Sequence, residues 1–90
     1  MAGSADRMKP EAITVYGADW CGDCLRAKAF LEQHAIPHVW IDVDADPEAA
    51  AFVVQVNRGY RSVPTIVFED GSILVEPSTA ELEAKLKQEA

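Results

Sequence analysis

Two cysteines separated by two residues constrain this chain more than any other feature. Cys21 and Cys24 are its only cysteines, with Gly22 and Asp23 between them. Residues 13–16 form an apolar, β-branched run typical of a buried strand, and a helical pattern begins at the cysteines. A strand that leads into a C-x-x-C at the start of a helix is typical of sites of thiol–disulfide exchange. The pattern therefore predicts a redox enzyme.

The composition excludes several classes of function. The 90 residues are enough for one domain, and 15 acidic against 8 basic residues give a net charge of −7. We expect no nucleic-acid partner, because no cluster of lysines and arginines is present to meet phosphates. No apolar stretch reaches the length of a membrane span, so no membrane association is expected.

The chain is predicted to divide into a tail and a single domain. Residues 1–11 are polar, rich in small side chains and without the apolar stretch of a signal peptide, so we expect a flexible N-terminal tail there. Residues 12–90 form the predicted domain. We expect a monomer in the cytoplasm, a reducing compartment in which a C-x-x-C is more often catalytic or metal-binding than structural.

The apolar periodicity and the helix signals predict the element order β-α-β-α-β-β-α. The predicted strands cover residues 12–16, 38–43, 65–68 and 73–75, and the predicted helices cover 22–33, 46–56 and 78 onwards. Asp46-Pro47 marks one helix start, a capping box marks the last one, and Asp70-Gly71 marks a hairpin. Strands joined by helices are expected to pair in parallel, and the last two strands to pair antiparallel. The predicted fold class is α/β, with a four-stranded mixed sheet flanked by helices.

The two cysteines receive different predicted roles from their places in the first helix. Cys21 falls at the helix N-terminus, where free backbone N–H groups and the positive end of the helix dipole stabilise a thiolate. Cys24 returns to the same side one turn deeper. Cys21 is therefore the predicted nucleophile, and Cys24 the predicted buried resolving thiol. Asp23 adds a negative charge that opposes formation of the Cys21 thiolate.

The spacing of Cys21, Cys24, His34 and His38 superficially matches that of a zinc finger. Such a finger holds its cysteines on a hairpin and its histidines on a helix. Here the helix is predicted to begin at the cysteines, and Pro37 separates the two histidines. We therefore expect no bound metal and assign the histidines no catalytic role. A buried, unreactive cysteine pair is the other structural alternative.

A second constellation, Ser62-Val63-Pro64-Thr65, opens the third predicted strand. A proline at a strand start removes one hydrogen-bond donor and leaves neighbouring backbone groups free. Considered alone, Pro64 is more often a simple strand-entry residue. Together with the C-x-x-C, it indicates a second part of the same site.

These pieces together resemble the thioredoxin superfamily, and in particular its glutaredoxin branch. The matching residues are Tyr16, Trp20 to Cys24, Ser62 to Thr65 and Asp70 to Ser72. The resemblance implies that the bond before Pro64 is cis and that the backbone of Val63 binds an extended thiol substrate. Trp20 is expected to shield Cys21. The predicted substrate- and thiol-binding residues are Trp20, Asp23, Val63, Pro64, Asp70, Gly71 and Ser72.

Within this branch, the chain is most similar to the mycoredoxins of actinobacteria. The shared features are W-C-G-x-C at 20–24, an alanine-rich stretch at 49–53, Arg-x-Val-Pro-Thr at 61–65 and Phe-x-Asp-Gly-Ser at 68–72. The resemblance implies that the protein reduces mixed disulfides between proteins and mycothiol, with mycothiol as reducing co-substrate. One departure is that Asp23 replaces an aromatic residue.

The second departure concerns the low-molecular-weight thiol. The hairpin lacks the Gly-Gly-x-Asp pattern with which glutathione-using glutaredoxins hold the γ-glutamyl end. Mycothiol has no carboxylates, unlike glutathione, so polar groups such as Ser72 and Thr79 suit it better. Arg58 and Arg61 flank the loop before Pro64 and are either partners for a carboxylate or solvated loop charges. Tyr60 is either a packing residue or the rim of the ligand groove.

Two other functions stay open beside the mycothiol route, whose partners are oxidised or mycothiolated proteins and the small thiol. One is a protein-disulfide reductase driven by thioredoxin reductase, in which both cysteines are essential. The other is a [2Fe–2S] carrier, in which Cys21 and a thiol cofactor from each of two chains bridge a cluster. Of the two enzymatic routes, only the mycothiol route leaves Cys24 dispensable.

Overall fold

A four-stranded sheet organises residues 10–89, the part of the chain that the computed structural model describes. The elements are β1 (Ile13–Gly17), α1 (Gly22–Gln33), β2 (His38–Asp42), α2 (Pro47–Val56), β3 (Thr65–Val67), β4 (Ile73–Val75) and α3 (Thr79–Glu89). The predicted element order is confirmed, and the ends differ by a residue or two. Most of the predicted tail, residues 1–9, lies outside the described residues. Within them, no helix has both the length and the apolar character needed to cross a bilayer.

The sheet has the strand order β2-β1-β3-β4. The pairing of β1 with β2 is parallel and that of β3 with β4 is antiparallel, as predicted. The expectation that β3 also runs parallel, because α2 precedes it, is wrong: β3 pairs with β1 in the antiparallel sense. The reason is the path after α2, along which residues 57–64 bring the chain into the sheet at the edge where β1 ends.

Apolar side chains cover both faces of the sheet, which confirms the predicted flanking by helices. Alternation along β1 points Ile13 and Val15 to one face and Tyr16 to the other. The first face packs against α1 and α3 through a cluster of Ile13, Val15, Ala27, Leu31, Ile66, Phe68 and Leu82. The second face packs against α2 through Val43, Ala49 and Val53, with Tyr16, Ile41, Phe52 and Val63 beside them.

The helix starts form as the sequence predicts. The Asp46 carboxylate accepts hydrogen bonds from the backbone N–H groups of Glu48 and Ala49, both at 3.1 Å. The capping box of α3 is reciprocal: the Ser78 N–H donates to the Glu81 carboxylate at 2.8 Å, and the Glu81 N–H donates to the Ser78 hydroxyl at 3.1 Å. These caps fix where each helix leaves the sheet.

The strand register brings four chain segments together at one edge of the sheet, the edge that the ends of the strands form. Tyr16 near the end of β1 pairs with Thr65 at the start of β3, and Thr65 pairs with Val75 at the end of β4. The end of β2 is at the same edge, because Gly17 pairs with Asp42. The turn at residues 68–72 joins the other ends of β3 and β4 and therefore lies at the opposite edge.

Gly17 at this edge has no room for a side chain. A Cβ there would lie 2.6 and 2.9 Å from two ring atoms of Trp40 and 3.2 Å from the Cβ of Cys24. Both neighbours are held by packing, so we expect Gly17→Ala to lower the free energy of unfolding of the reduced protein by about 1–3 kcal/mol. Urea unfolding measures this loss.

Gly22→Ala is the matched control for that substitution. A Cβ on Gly22 meets nothing within 4 Å. Alanine also favours a helix more than glycine, by about 0.5–1 kcal/mol. An equal loss of stability in both variants would show that the crowding at Gly17 is not the cause.

Candidate active site

Cys21 occupies the N-cap of α1. Its backbone is extended, with φ −93° and ψ 111°, and its sulfur accepts a hydrogen bond from the Cys24 N–H at 3.2 Å. The Cys21 N–H in turn donates to the Ala18 carbonyl at 3.1 Å, which holds the preceding loop in place. The Cys24 N–H and the positive end of the helix dipole therefore both face the Cys21 sulfur.

Cys24 lies behind Cys21 and is fully buried, whereas Cys21 is partly exposed. The pKa of the Cys24 thiol is raised to about 12, first by burial and then by its hydrogen bond with Cys21. A backbone hydrogen bond at Ala18 acts in the opposite direction, and the charge of Asp23 adds to the rise. One sulfur is thus accessible and the other protonated and enclosed, an arrangement compatible with the two predicted roles.

The Val63–Pro64 segment faces the exposed sulfur. The peptide bond between these residues is cis, as the resemblance implies, and the Cys21 sulfur lies 3.8 Å from the Val63 carbonyl oxygen. Pro64 is buried, and its own carbonyl accepts a hydrogen bond from the Glu76 N–H at 2.8 Å. The backbone beside Cys21 is therefore fixed both by the core and by the chain that leaves β4.

Trp20 is part of a network that the sequence does not reveal. The residue is 71% exposed, and its indole N–H donates to one carboxylate oxygen of Asp44 at 2.7 Å. Arg61 donates to the other oxygen of Asp44 at 2.6 Å and to the Val43 carbonyl at 3.3 Å. Asp44 is not among the predicted site residues. The sequence signal that could have indicated it is its position just after β2, because the end of β2 lies beside the end of β1.

Asp23 is paired within its own helix. Its carboxylate lies 2.6 Å from the guanidinium of Arg26, three residues later, and both side chains are about half exposed. A surface pair of this kind contributes at most about 1 kcal/mol to stability. Its effect on the site is to offset the charge that Asp23 brings next to Cys21.

The structure does not bring Asp70, Gly71 and Ser72 together with the cysteines. One Asp70 carboxylate oxygen accepts from the Ser72 N–H and hydroxyl at 2.9 and 2.6 Å, and the other accepts from Lys85 at 2.8 Å. The hydrogen bond with Lys85, followed by those with Ser72, holds the pKa of Asp70 well below its usual range. This turn links the hairpin to α3 at the far edge of the sheet, and its part in thiol binding stays a prediction.

The segment that does reach the site edge is the one after β4. Glu76 bonds to the carbonyl of Pro64 and has a positive φ of 49°, which turns the chain towards α3. Its nearness to the cis-proline follows from the hairpin, because a strand antiparallel to β3 must end where β3 begins. The sequence signal for this segment is the Asp70-Gly71 hairpin, because the chain that leaves β4 must lie beside the start of β3.

The two histidines lie apart from the cysteines. His34 is the C-cap of α1, so the length of the helix separates it from Cys21 by about 20 Å. His38 shares a hydrogen bond of 2.8 Å with the Ile36 carbonyl. Among residues 10–89 there is no cluster of three or more side chains of the types that bind metals.

The difference between the two sulfurs predicts a difference in alkylation. With a pKa of about 12, the Cys24 thiol is ionised to about one part in ten thousand at pH 8. We expect iodoacetamide to modify Cys24 in Cys21→Ser at least about a hundredfold more slowly than Cys21 in Cys24→Ser. The slow alkylation of Cys24 depends on its burial in the folded protein, so we expect this rate to rise when urea unfolds Cys21→Ser.

The same experiment over a range of pH gives the direction of the effect. Burial, the main cause of the raised pKa of Cys24, persists in Cys21→Ser, so the Cys24 rate keeps increasing by about tenfold per pH unit beyond the ordinary pKa of a thiol. A plateau below pH 10, or similar rates for the two sulfurs at pH 8, would contradict the buried, protonated state of Cys24.

Comparison with known proteins places this geometry in a family. The family model described as Glutaredoxin matches residues 13–73, which include both cysteines and the cis-proline. A Mycobacterium tuberculosis protein whose name assigns it provisionally to the glutaredoxins is 47% identical over 83% of this chain and 89% of its own length. Mycoredoxin 1 of Corynebacterium glutamicum is 39% identical over 83% of this chain and 92% of its own length.

A solved structure agrees at the level of the fold. The glutaredoxin of Archaeoglobus fulgidus superposes with a TM-score of 0.72 over 90% of this chain and 92% of its own, at 22% identity. The resemblance inferred from the sequence is confirmed. The chain belongs to the glutaredoxin family and is a thiol–disulfide oxidoreductase with a C-x-x-C dithiol.

Proposed function

We propose that this protein reduces mixed disulfides between proteins and mycothiol, with mycothiol as the reducing co-substrate. The observation that carries the proposal is the pairing of a cation in the loop before Val63: Arg61 is bound to Asp44 and to a backbone carbonyl. The similarity to the protein named Mycoredoxin 1 supports the same thiol. The proposal includes a cytoplasmic monomer, since a dithiol reductant works where cellular thiols keep it reduced.

In the proposed first step, the Cys21 thiolate attacks the mycothiol sulfur of the mixed disulfide. A bond forms between the Cys21 sulfur and mycothiol, and the client protein leaves as a thiolate that takes up a proton. The Cys24 N–H, 3.2 Å from the Cys21 sulfur, stabilises the attacking charge. Trp20 and the Val63 backbone border the sulfur and would hold the extended substrate beside it.

In the proposed second step, another mycothiol thiolate attacks the mycothiol that is bound to Cys21. The products are oxidised mycothiol and the Cys21 thiolate, so over both steps one free mycothiol and the mixed disulfide become one oxidised mycothiol and the reduced client thiol. Cys24 takes no part in this step. Its high pKa keeps it protonated at neutral pH and so limits its competition for the Cys21 sulfur.

The choice between the small thiols rests on charge. Glutathione carries carboxylates that need cationic partners, whereas mycothiol offers hydroxyl groups. Near the cysteines, Arg26 is paired with Asp23 and Arg61 with Asp44, each at 2.6 Å. A ligand carboxylate that reaches Arg26 or Arg61 meets a cation whose charge is already offset, which favours the uncharged thiol.

The decisive comparison uses one peptide in mixed disulfide with mycothiol and, separately, with glutathione. We expect the reduced protein to release the peptide from mycothiol at least about tenfold faster, a difference of about 1.4 kcal/mol in the barrier. The measurement is the second-order rate of peptide release under single-turnover conditions. Equal rates would remove mycothiol from the proposal and leave the family activity unchanged.

Cys24→Ser separates the mycothiol route from dithiol reduction. We expect this variant to keep mycothiol-driven reduction of the mixed disulfide within about threefold, because only Cys21 forms a bond to the substrate. Reduction of an intramolecular protein disulfide should be lost, since no second thiol resolves the complex. Cys21→Ser, the control, should lose both. If Cys24→Ser loses the mixed-disulfide activity as well, the protein works as a dithiol reductase of the kind that thioredoxin reductase serves.

A further inference from the structure

Asp44 joins the three loops that surround the exposed sulfur. One of its carboxylate oxygens binds the indole of Trp20, the residue directly before Cys21. Its other oxygen binds Arg61, two residues before Val63, whose carbonyl lies 3.8 Å from the Cys21 sulfur. Asp44 itself follows β2. A single carboxylate therefore connects chain segments that are far apart in sequence and that meet only at this edge of the sheet.

The carboxylate is held in place before any ligand arrives. The Asp44 N–H donates to the side chain of Asp42 at 2.9 Å, which fixes the turn after β2. Each carboxylate oxygen then has one strong donor, at 2.7 Å from Trp20 and 2.6 Å from Arg61. An oriented acceptor of this kind loses little conformational entropy when it binds a guanidinium.

Arg61 is the cation that this arrangement controls. Its side chain is 51% exposed and that of Asp44 is 43% exposed, so both are accessible from solvent. Without Asp44, Arg61 would present a full positive charge at the rim of the site. With Asp44, an incoming carboxylate meets a cation and an anion together, and the attraction largely cancels.

Arg26 and Arg58 differ from Arg61 in their carboxylate partners. Arg26 pairs with Asp23 on α1. Arg58 is exposed, has a positive φ of 57°, and has no carboxylate within ion-pair distance among residues 10–89. It lies five residues before Val63 in sequence, whereas Arg61 lies two residues before Val63. Arg58 is therefore a matched cation that Asp44 does not hold.

From this geometry we infer that Asp44 determines thiol specificity: by neutralising Arg61 beside the Cys21–Val63 face, it makes the site disfavour thiols that carry carboxylates. Asp44 is a positioning residue, because it acts through Arg61 and Trp20 and touches no reacting atom. The inference deepens the proposed function and rests on it for the identity of the preferred thiol.

The test measures a ratio of rates. The peptide mixed disulfides with glutathione and with mycothiol are given to the wild-type protein and to Asp44→Asn, and the glutathione rate is divided by the mycothiol rate. We expect the ratio to rise about fivefold at low ionic strength in the variant, the size of one surface charge interaction. A general loosening of the site would change both rates and largely cancel in the ratio.

Salt and second-site variants decide the cause. The rise should fall below about twofold at high salt, because exposed charges are screened. It should vanish in Asp44→Asn with Arg61→Gln and persist in Asp44→Asn with Arg58→Gln. The same ratio is measured in Asp44→Ala, because the asparagine amide of Asp44→Asn can still accept a hydrogen bond from Arg61 and alanine cannot.

The outcomes that overturn the inference are separate from those that overturn the proposed function. An unchanged ratio in folded Asp44→Asn and Asp44→Ala, or a rise that survives high salt or the loss of Arg61, would show that Asp44 does not set specificity. A wild-type protein without preference for mycothiol would instead refute the proposed thiol. In that case the shift of the ratio in Asp44→Asn still decides the part played by Asp44.

Discussion

The hydrogen bond from the Cys24 N–H to the Cys21 sulfur is the contact around which the site is built. It places sulfur where serine, threonine or aspartate usually caps a helix, so that the start of α1 and the reactive atom are the same structural element. Everything that holds α1 in place, from the cluster around Leu31 to the crowded glycine at residue 17, therefore also positions the sulfur. Reactivity and fold share one set of contacts.

The sheet decides what this sulfur meets. Because β3 begins and β4 ends at the edge where β1 and β2 end, the cis-proline, Glu76 and Asp44 converge on Cys21 from different parts of the chain. The site combines a rigid backbone at Val63 with side chains on loops. Such a division lets the loops alter the choice of thiol while the cysteine pair and the backbone beside it stay unchanged.

Sequence reasoning succeeded where the signal was local. The helix starts, the C-x-x-C at the N-terminus of α1 and the proline at the entry to β3 are each encoded within a few neighbouring residues. It failed for the direction of β3 and for Asp44, because both depend on which strands become neighbours. A hairpin motif likewise predicts the shape of the Asp70 turn but not the edge of the sheet at which it lies, and the part of this turn in thiol binding stays a prediction.

The enclosure of Cys24 also bears on how the protein withstands oxidants. An oxidant reaches the partly exposed Cys21 first and converts its thiolate to a sulfenic acid. The thiol in contact with that group is Cys24. Although burial keeps Cys24 protonated at neutral pH, this contact makes condensation intramolecular, and the reaction expels water and gives a disulfide that other thiols reduce again. Further oxidation of Cys21 to the irreversible acids has to compete with this intramolecular step. A buried partner one helical turn away thus serves as a built-in safeguard for the sulfur at the surface.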